Sequence, residues 1–71
     1  MKYVAVKSSN IESVGCNEVE EILAVRFLSG ALYHYFGVPK IVFDNLLKAA
    51  SPGRYINQEV KQGGYRYIQV Q

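Results

Sequence analysis

The chain contains one cysteine, one histidine and no tryptophan, and each scarcity removes a class of function. A single cysteine, Cys16, excludes an internal disulfide. A metal centre or a catalytic constellation needs several suitable groups at one point. His34, Cys16 and a scatter of carboxylates do not promise one, so no enzyme, metal site or cofactor is expected. No apolar run approaches the ~18 residues that a membrane-spanning helix needs. The opening MKYVAVKSSN lacks the apolar core of a secretory leader, and the expectation is a soluble protein of the reducing cytoplasm, without a membrane partner. Runs of like charge are missing too. Eight basic residues against six acidic ones give a net charge of +2, short of the clustered excess of a dedicated nucleic-acid binder. Gly63-Gly64 is not followed by the glycine, lysine and helix of a phosphate loop. There are no repeats, low-complexity segments or linkers.

What is present suits one small globular domain spanning residues 1 to 71. Apolar residues make up 49% and charged residues 20%, enough hydrophobicity to exclude disorder. YVAV (Tyr3 to Val6) and IESVGC (Ile11 to Cys16) are short and β-prone around the Ser8-Ser9-Asn10 turn cluster. EILAVRFL alternates Leu23, Val25 and Phe27 against Ile22, Ala24 and Arg26, and ALYHYFG answers it across Ser29-Gly30. This pair reads as a hairpin with two possible registers. A two-residue Ser29-Gly30 turn sets Phe27 opposite Leu32 and puts Tyr33 beside Arg26 on an exposed face, a platform. A type I turn at Leu28-Ser29 with Gly30 as left-handed bulge residue sets Val25 opposite Tyr33. The second register is expected, because it gathers Leu23, Val25, Phe27, Tyr33 and Tyr35 on one face.

Pro39 reads as the first residue of a helix in which Val42, Leu46 and Ala49, flanked by Phe43, Leu47 and Ala50, form a broad apolar stripe. Ser51-Pro52 reads as N-cap and first residue of a second helix through Lys61, presenting Tyr55, Ile56 and Val60. Gly63-Gly64 ends it, and Tyr65 to Val70 alternates as a last strand. The expected fold is α+β, a small antiparallel sheet with a central hairpin, two short helices on one face and a C-terminal strand.

The tyrosine pairs Tyr33/Tyr35 and Tyr65/Tyr67 share a face by strand alternation. The plain account is that they rim a small core with their hydroxyls at the surface. With nearby arginines they are also the ingredients of base stacking and phosphate neutralisation. Arg26, Arg54, Tyr55, Tyr65, Arg66 and Tyr67 are the candidates on that account. The lysines are spread as a solvated surface. His34 reads as structural or solvent-facing, and Cys16 as a small buried hydrophobe.

The order SSNI-x-SVG, L-x-V-x-F-x-SG, Y-x-Y-x-GVP, a helix, SPGRYIN and a final Y-x-Y resembles the KTSC domain family, from about Val6 to Tyr67. Ser9, Gly15, Gly30, Tyr33, Tyr35, Pro39, Gly53, Tyr55, Asn57, Tyr65 and Tyr67 carry the signature. Cys16 departs from it, where the family typically has tyrosine. The family is similar to a segment at the C-terminus of some lysyl-tRNA synthetases and also occurs as short stand-alone proteins of bacteria and phages, the kind this chain looks like. The resemblance implies contact with RNA rather than an activity. The expectation is therefore a non-catalytic module, monomeric or a small homo-oligomer, binding RNA or another single-stranded nucleic acid. Tyr33, Tyr35, Arg54, Tyr55, Asn57, Tyr65, Arg66 and Tyr67 are its expected contacts. A nucleotide-sequestering phage-type protein and a protein-interaction domain using an open strand edge are the alternatives.

Overall fold

The central hairpin adopts the register that collects its apolar residues. A computed structural model describes residues 1–71. In it β3 (Ile22–Phe27) pairs with β4 (Leu32–Phe36), Val25 opposite Tyr33 and Leu23 opposite Tyr35. The Gly30 amide donates to the Phe27 carbonyl at 2.9 Å, and the Phe27 amide to the Ala31 carbonyl at 2.8 Å. Gly30 sits at φ 97°, the left-handed bulge position that a side chain would strain.

β1 (Tyr3–Ala5) and β2 (Ile11–Asn17) precede the hairpin, and β5 (Tyr67–Gln69) joins the far side of β4. The five strands form one antiparallel sheet in the order β1-β2-β3-β4-β5. Between β4 and β5 the chain crosses one face as α1 (Lys40–Lys48) and α2 (Pro52–Tyr55), which continues as a π-helical segment, Ile56–Lys61. No helix is long and apolar enough to cross a membrane.

One cluster forms the core. Val14, Leu23, Val25 and Tyr35 from the sheet meet Phe43 and Leu46 of α1 and Ile56 and Val60 of the last helical stretch. Each aliphatic side chain so buried stabilises by ~1.5–3 kcal/mol. α1 buries Phe43 and Leu46 but leaves Ile41 and Leu47 exposed, so its stripe is narrower than the sequence suggests, and Ala49 and Ala50 lie beyond its end.

Two helix starts differ from expectation. Pro39 is the N-cap of α1, not its first residue, with an extended backbone at ψ 153°. The residue before a helix is where a fixed φ of −67° and a missing N–H cost nothing. Ser51 does occupy the N-cap of α2, yet its side chain makes no capping hydrogen bond. Its carbonyl, not its hydroxyl, engages the helix, accepting from the Tyr55 amide at 3.0 Å. The serine that organises backbone is Ser8. Its Oγ accepts from the amides of Asn10 (3.3 Å) and Ile11 (3.2 Å), and its hydroxyl donates to Asn10 Oδ1 at 2.9 Å. That turn presses on α2, since a Cβ on Gly53 would stand 2.8 Å from Asn10 Oδ1.

Candidate functional site

The helices lie over the part of the sheet built on β2 and β3 and leave the β4–β5 end of the same face open. Strand alternation brings Tyr33, Tyr35 and Tyr67 there, because Tyr35 pairs with Tyr67 across β4 and β5. Tyr35 lies deepest, 2% exposed, while Tyr67 is 61% exposed. The three rings lie 5.6 to 6.3 Å apart, and Phe27 meets Tyr33 edge-on at 5.7 Å and 85°. Together with Ser29, Ala31 and Lys61 they line an open groove of about 430 Å³. The tyrosines thus wall the core at one end of their row and face solvent at the other.

Polar groups fix the groove's walls. The Tyr33 hydroxyl donates to Gln69 Oε1 at 3.2 Å. Lys61 Nζ hangs 5.4 Å above the Phe27 ring, a cation held by a ring face at the rim. Burial, then the neighbouring Tyr33 and Tyr67 phenols, push the Tyr35 phenol above its ordinary pKa.

The other expected contacts fall elsewhere. Arg66 lines a smaller hollow of about 240 Å³ with Phe36, Tyr67 and Ile68, Tyr67 belonging to both hollows. Arg54 and Asn57 are exposed and line neither. Tyr55 and Tyr65 are half-buried and packed against the core, the rim role that tyrosine fills in small domains. Arg26 lies on the opposite face, its guanidinium 5.9 Å from the centre of the Tyr3 ring and bonded to Gln71 Oε1 at 3.1 Å. Lys61 is the cation of the groove, and it looked from the sequence like one more solvated lysine.

Two further groups bear on chemistry. Cys16 is half-buried beside the core, and burial, followed by the Glu18 carboxylate, raises its thiol pKa, which disfavours the thiolate that reactivity needs. His34 is half-buried opposite Ala24 and Ile68. No three His, Cys, Asp or Glu side chains converge in a metal-binding group.

Charge is unevenly placed. Glu18, Glu20 and Glu21 lie in or beside the β2–β3 turn, and Lys40 bridges Glu18 (3.3 Å) and Asp44 (3.6 Å) there. This turn is at the opposite end of β3 from the β3–β4 turn that borders the groove.

Comparison with known proteins agrees with this architecture. The model of the KTSC domain matches residues 7–67. An uncharacterised protein of Stutzerimonas stutzeri is 47% identical over 70 residues, 99% of either chain. A protein of Tsukamurella paurometabola is 54% identical over 56 residues, covering 79% of this chain and 84% of that one. The crystal structure of a KTSC domain protein from Yersinia pestis superposes with a TM-score of 0.92 at 28% identity, covering 99% of this chain and 97% of that one. With its motif order, its five-stranded sheet and these relatives in agreement, the chain belongs to the KTSC domain family.

Proposed function

We propose that the domain is a non-catalytic binding module that contacts single-stranded nucleic acid, RNA foremost, by seating an unpaired base in the tyrosine groove. The groove carries this reading: an aromatic-lined hollow of about 430 Å³ with Lys61 at its rim, within the size range of small-ligand sites. Tyr67 offers the exposed ring face, and stacking one base on such a ring contributes ~1–3 kcal/mol. Lys61 takes the phosphate-neutralising role that the sequence suggested for Arg54. The protein would act in the cytoplasm, as a monomer or small homo-oligomer.

Few phosphates can be met by so sparse a set of cations. With at most ~3 contacts, a single strand should show a log–log salt slope of about −2. Titrating a labelled uridine oligonucleotide at two salt concentrations should give modest affinity with that slope, and Tyr67→Ala should weaken it by ~5- to 150-fold. Absence of binding at millimolar oligonucleotide would refute the reading. The groove's volume also suits a free mononucleotide, and a tight, nearly salt-insensitive complex with one nucleotide, indifferent to longer RNA, would make sequestration the function instead.

A further inference from the structure

The second hollow lies on the other side of the same strand. Along β5, Tyr67 shares the helix-covered face with Tyr33 and Tyr35, whereas Arg66 and Ile68 alternate to the opposite face. There they meet Phe36 in the hollow of about 240 Å³. Tyr67 borders both hollows, and nothing but the edge of β5 separates them.

That edge is open, since β5 ends the strand order. The Phe36 amide donates to the Arg66 carbonyl (2.8 Å) and the Val70 amide to the Leu32 carbonyl (2.6 Å), so the even-numbered residues in and flanking β5 bond to β4. By the alternation of an antiparallel pair, the Tyr67 and Gln69 amides point outward. Free amides, a guanidinium and exposed apolar side chains, Tyr67 at 61% and Ile68 at 53%, coincide on four consecutive residues, Arg66 to Gln69. Phosphate is what outward amides and guanidinium bind in common.

Building on the base-seating reading above, we infer that the site takes two consecutive nucleotides wrapped around the β5 edge. The first base occupies the Tyr33–Tyr35–Tyr67 groove with Lys61 near its phosphate. The linking phosphate passes the Tyr67 amide, and the second base rests on Phe36 and Ile68 with Arg66 over its sugar-phosphate. No other cation lines this second hollow, so Arg66 supplies its affinity for an anion. Protein-edge pairing at β5 would compete with this occupant, because it uses the same amides.

The test compares uridine 5′-monophosphate with the 5′-phosphorylated dinucleotide pUpU, by chemical-shift titration of the ¹⁵N-labelled protein. The dinucleotide should bind at least tenfold more tightly and shift the Phe36 and Ile68 amides, which the mononucleotide leaves in place. Arg66→Ala should abolish the dinucleotide's advantage and leave mononucleotide affinity unchanged. Arg54→Ala, which removes an equal charge away from both hollows, should keep that advantage. A dinucleotide no tighter than the mononucleotide, or an advantage that survives Arg66→Ala, overturns the two-nucleotide path while leaving the single-base reading intact. If neither ligand nor a longer oligonucleotide binds, the base-seating reading falls and the path falls with it.

Discussion

Removing the Ser8 hydroxyl should cost this domain more than removing the Ser51 hydroxyl, although Ser51 holds the helix N-cap position. Ser8 Oγ takes part in three hydrogen bonds, two from backbone amides and one to Asn10 Oδ1. Ser51 makes none at its cap. A typical hydrogen bond contributes a net ~0.5–1.5 kcal/mol. Ser8 is only half-buried, so water replaces part of what is lost, and Ser8→Ala should destabilise by ~1–2 kcal/mol. For a domain of this size that lowers Tm by roughly 4–16 °C. Ser51→Ala should stay within ~0.5 kcal/mol of wild type. Gly53 provides an internal check, because a Cβ there would stand 2.8 Å from Asn10 Oδ1 and displace the amide that Ser8 holds. Gly53→Ala and Ser8→Ala should therefore be non-additive, with a coupling of ~0.5 kcal/mol or more in a double-mutant cycle. Urea unfolding of the five proteins, wild type, the three single mutants and the Ser8→Ala/Gly53→Ala double mutant, measures every term. Additive effects, or a Ser51→Ala loss near 1 kcal/mol with Ser8→Ala silent, would refute the assignment of the turn and restore Ser51 as a true cap.

Leu46 is fully buried and anchors α1 to the sheet, so Leu46→Ala should cost ~2–5 kcal/mol, readable as a lower urea midpoint; a change under 1 kcal/mol would mean α1 is not held through it. The Tyr35 phenol, raised by burial and its tyrosine neighbours, and the Tyr55 phenol, raised first by burial, should form a late-ionising component in an ultraviolet pH titration, and Tyr35→Phe should shrink that component. The sign for stability follows: the raised phenol stabilises the fold fully below its unfolded pKa of about 10, and this is lost as alkaline pH passes the folded value. In Tyr35→Phe the alkaline fall in stability should be shallower.

The hairpin register was legible because only one pairing gathers Leu23, Val25, Phe27, Tyr33 and Tyr35, and a one-residue slip would turn Tyr33 and Tyr35 away from the other three. The helix-sheet order was legible from Pro39, Ser51-Pro52 and Gly63-Gly64 for the same kind of local reason. Ser51's idle hydroxyl was not, since capping depends on where χ1 points the oxygen and not on residue type alone. The groove was hidden as well. Whether a tyrosine on the apolar face ends buried like Tyr35 or open like Tyr67 depends on how far the helices reach across the sheet, a tertiary quantity absent from periodicity. Lys61 ends a π-helical segment, whose wider turn takes its side chain off any face counted at 3.6 residues per turn. Gly53 in SPGR was recognisable only as a motif letter, and its reason, the approach of Asn10, joins residues more than forty positions apart.

The clustering of acids at the β2–β3 turn changes what the net charge means. Glu18, Glu20, Glu21 and Asp44 against Lys40 sum to three net negative charges, so a total of +2 leaves five net positive charges spread over the other residues. The domain measures 28 × 25 × 23 Å, about three Debye lengths at physiological ionic strength, where screening sets in at ~8 Å. A polyanion meeting the groove beside the β3–β4 turn is therefore screened from the acids and responds chiefly to the charges within a Debye length of it, Lys61 among them. In dilute salt, where the screening length grows to ~30 Å, the same molecule becomes a dipole that turns its acidic pole away before contact.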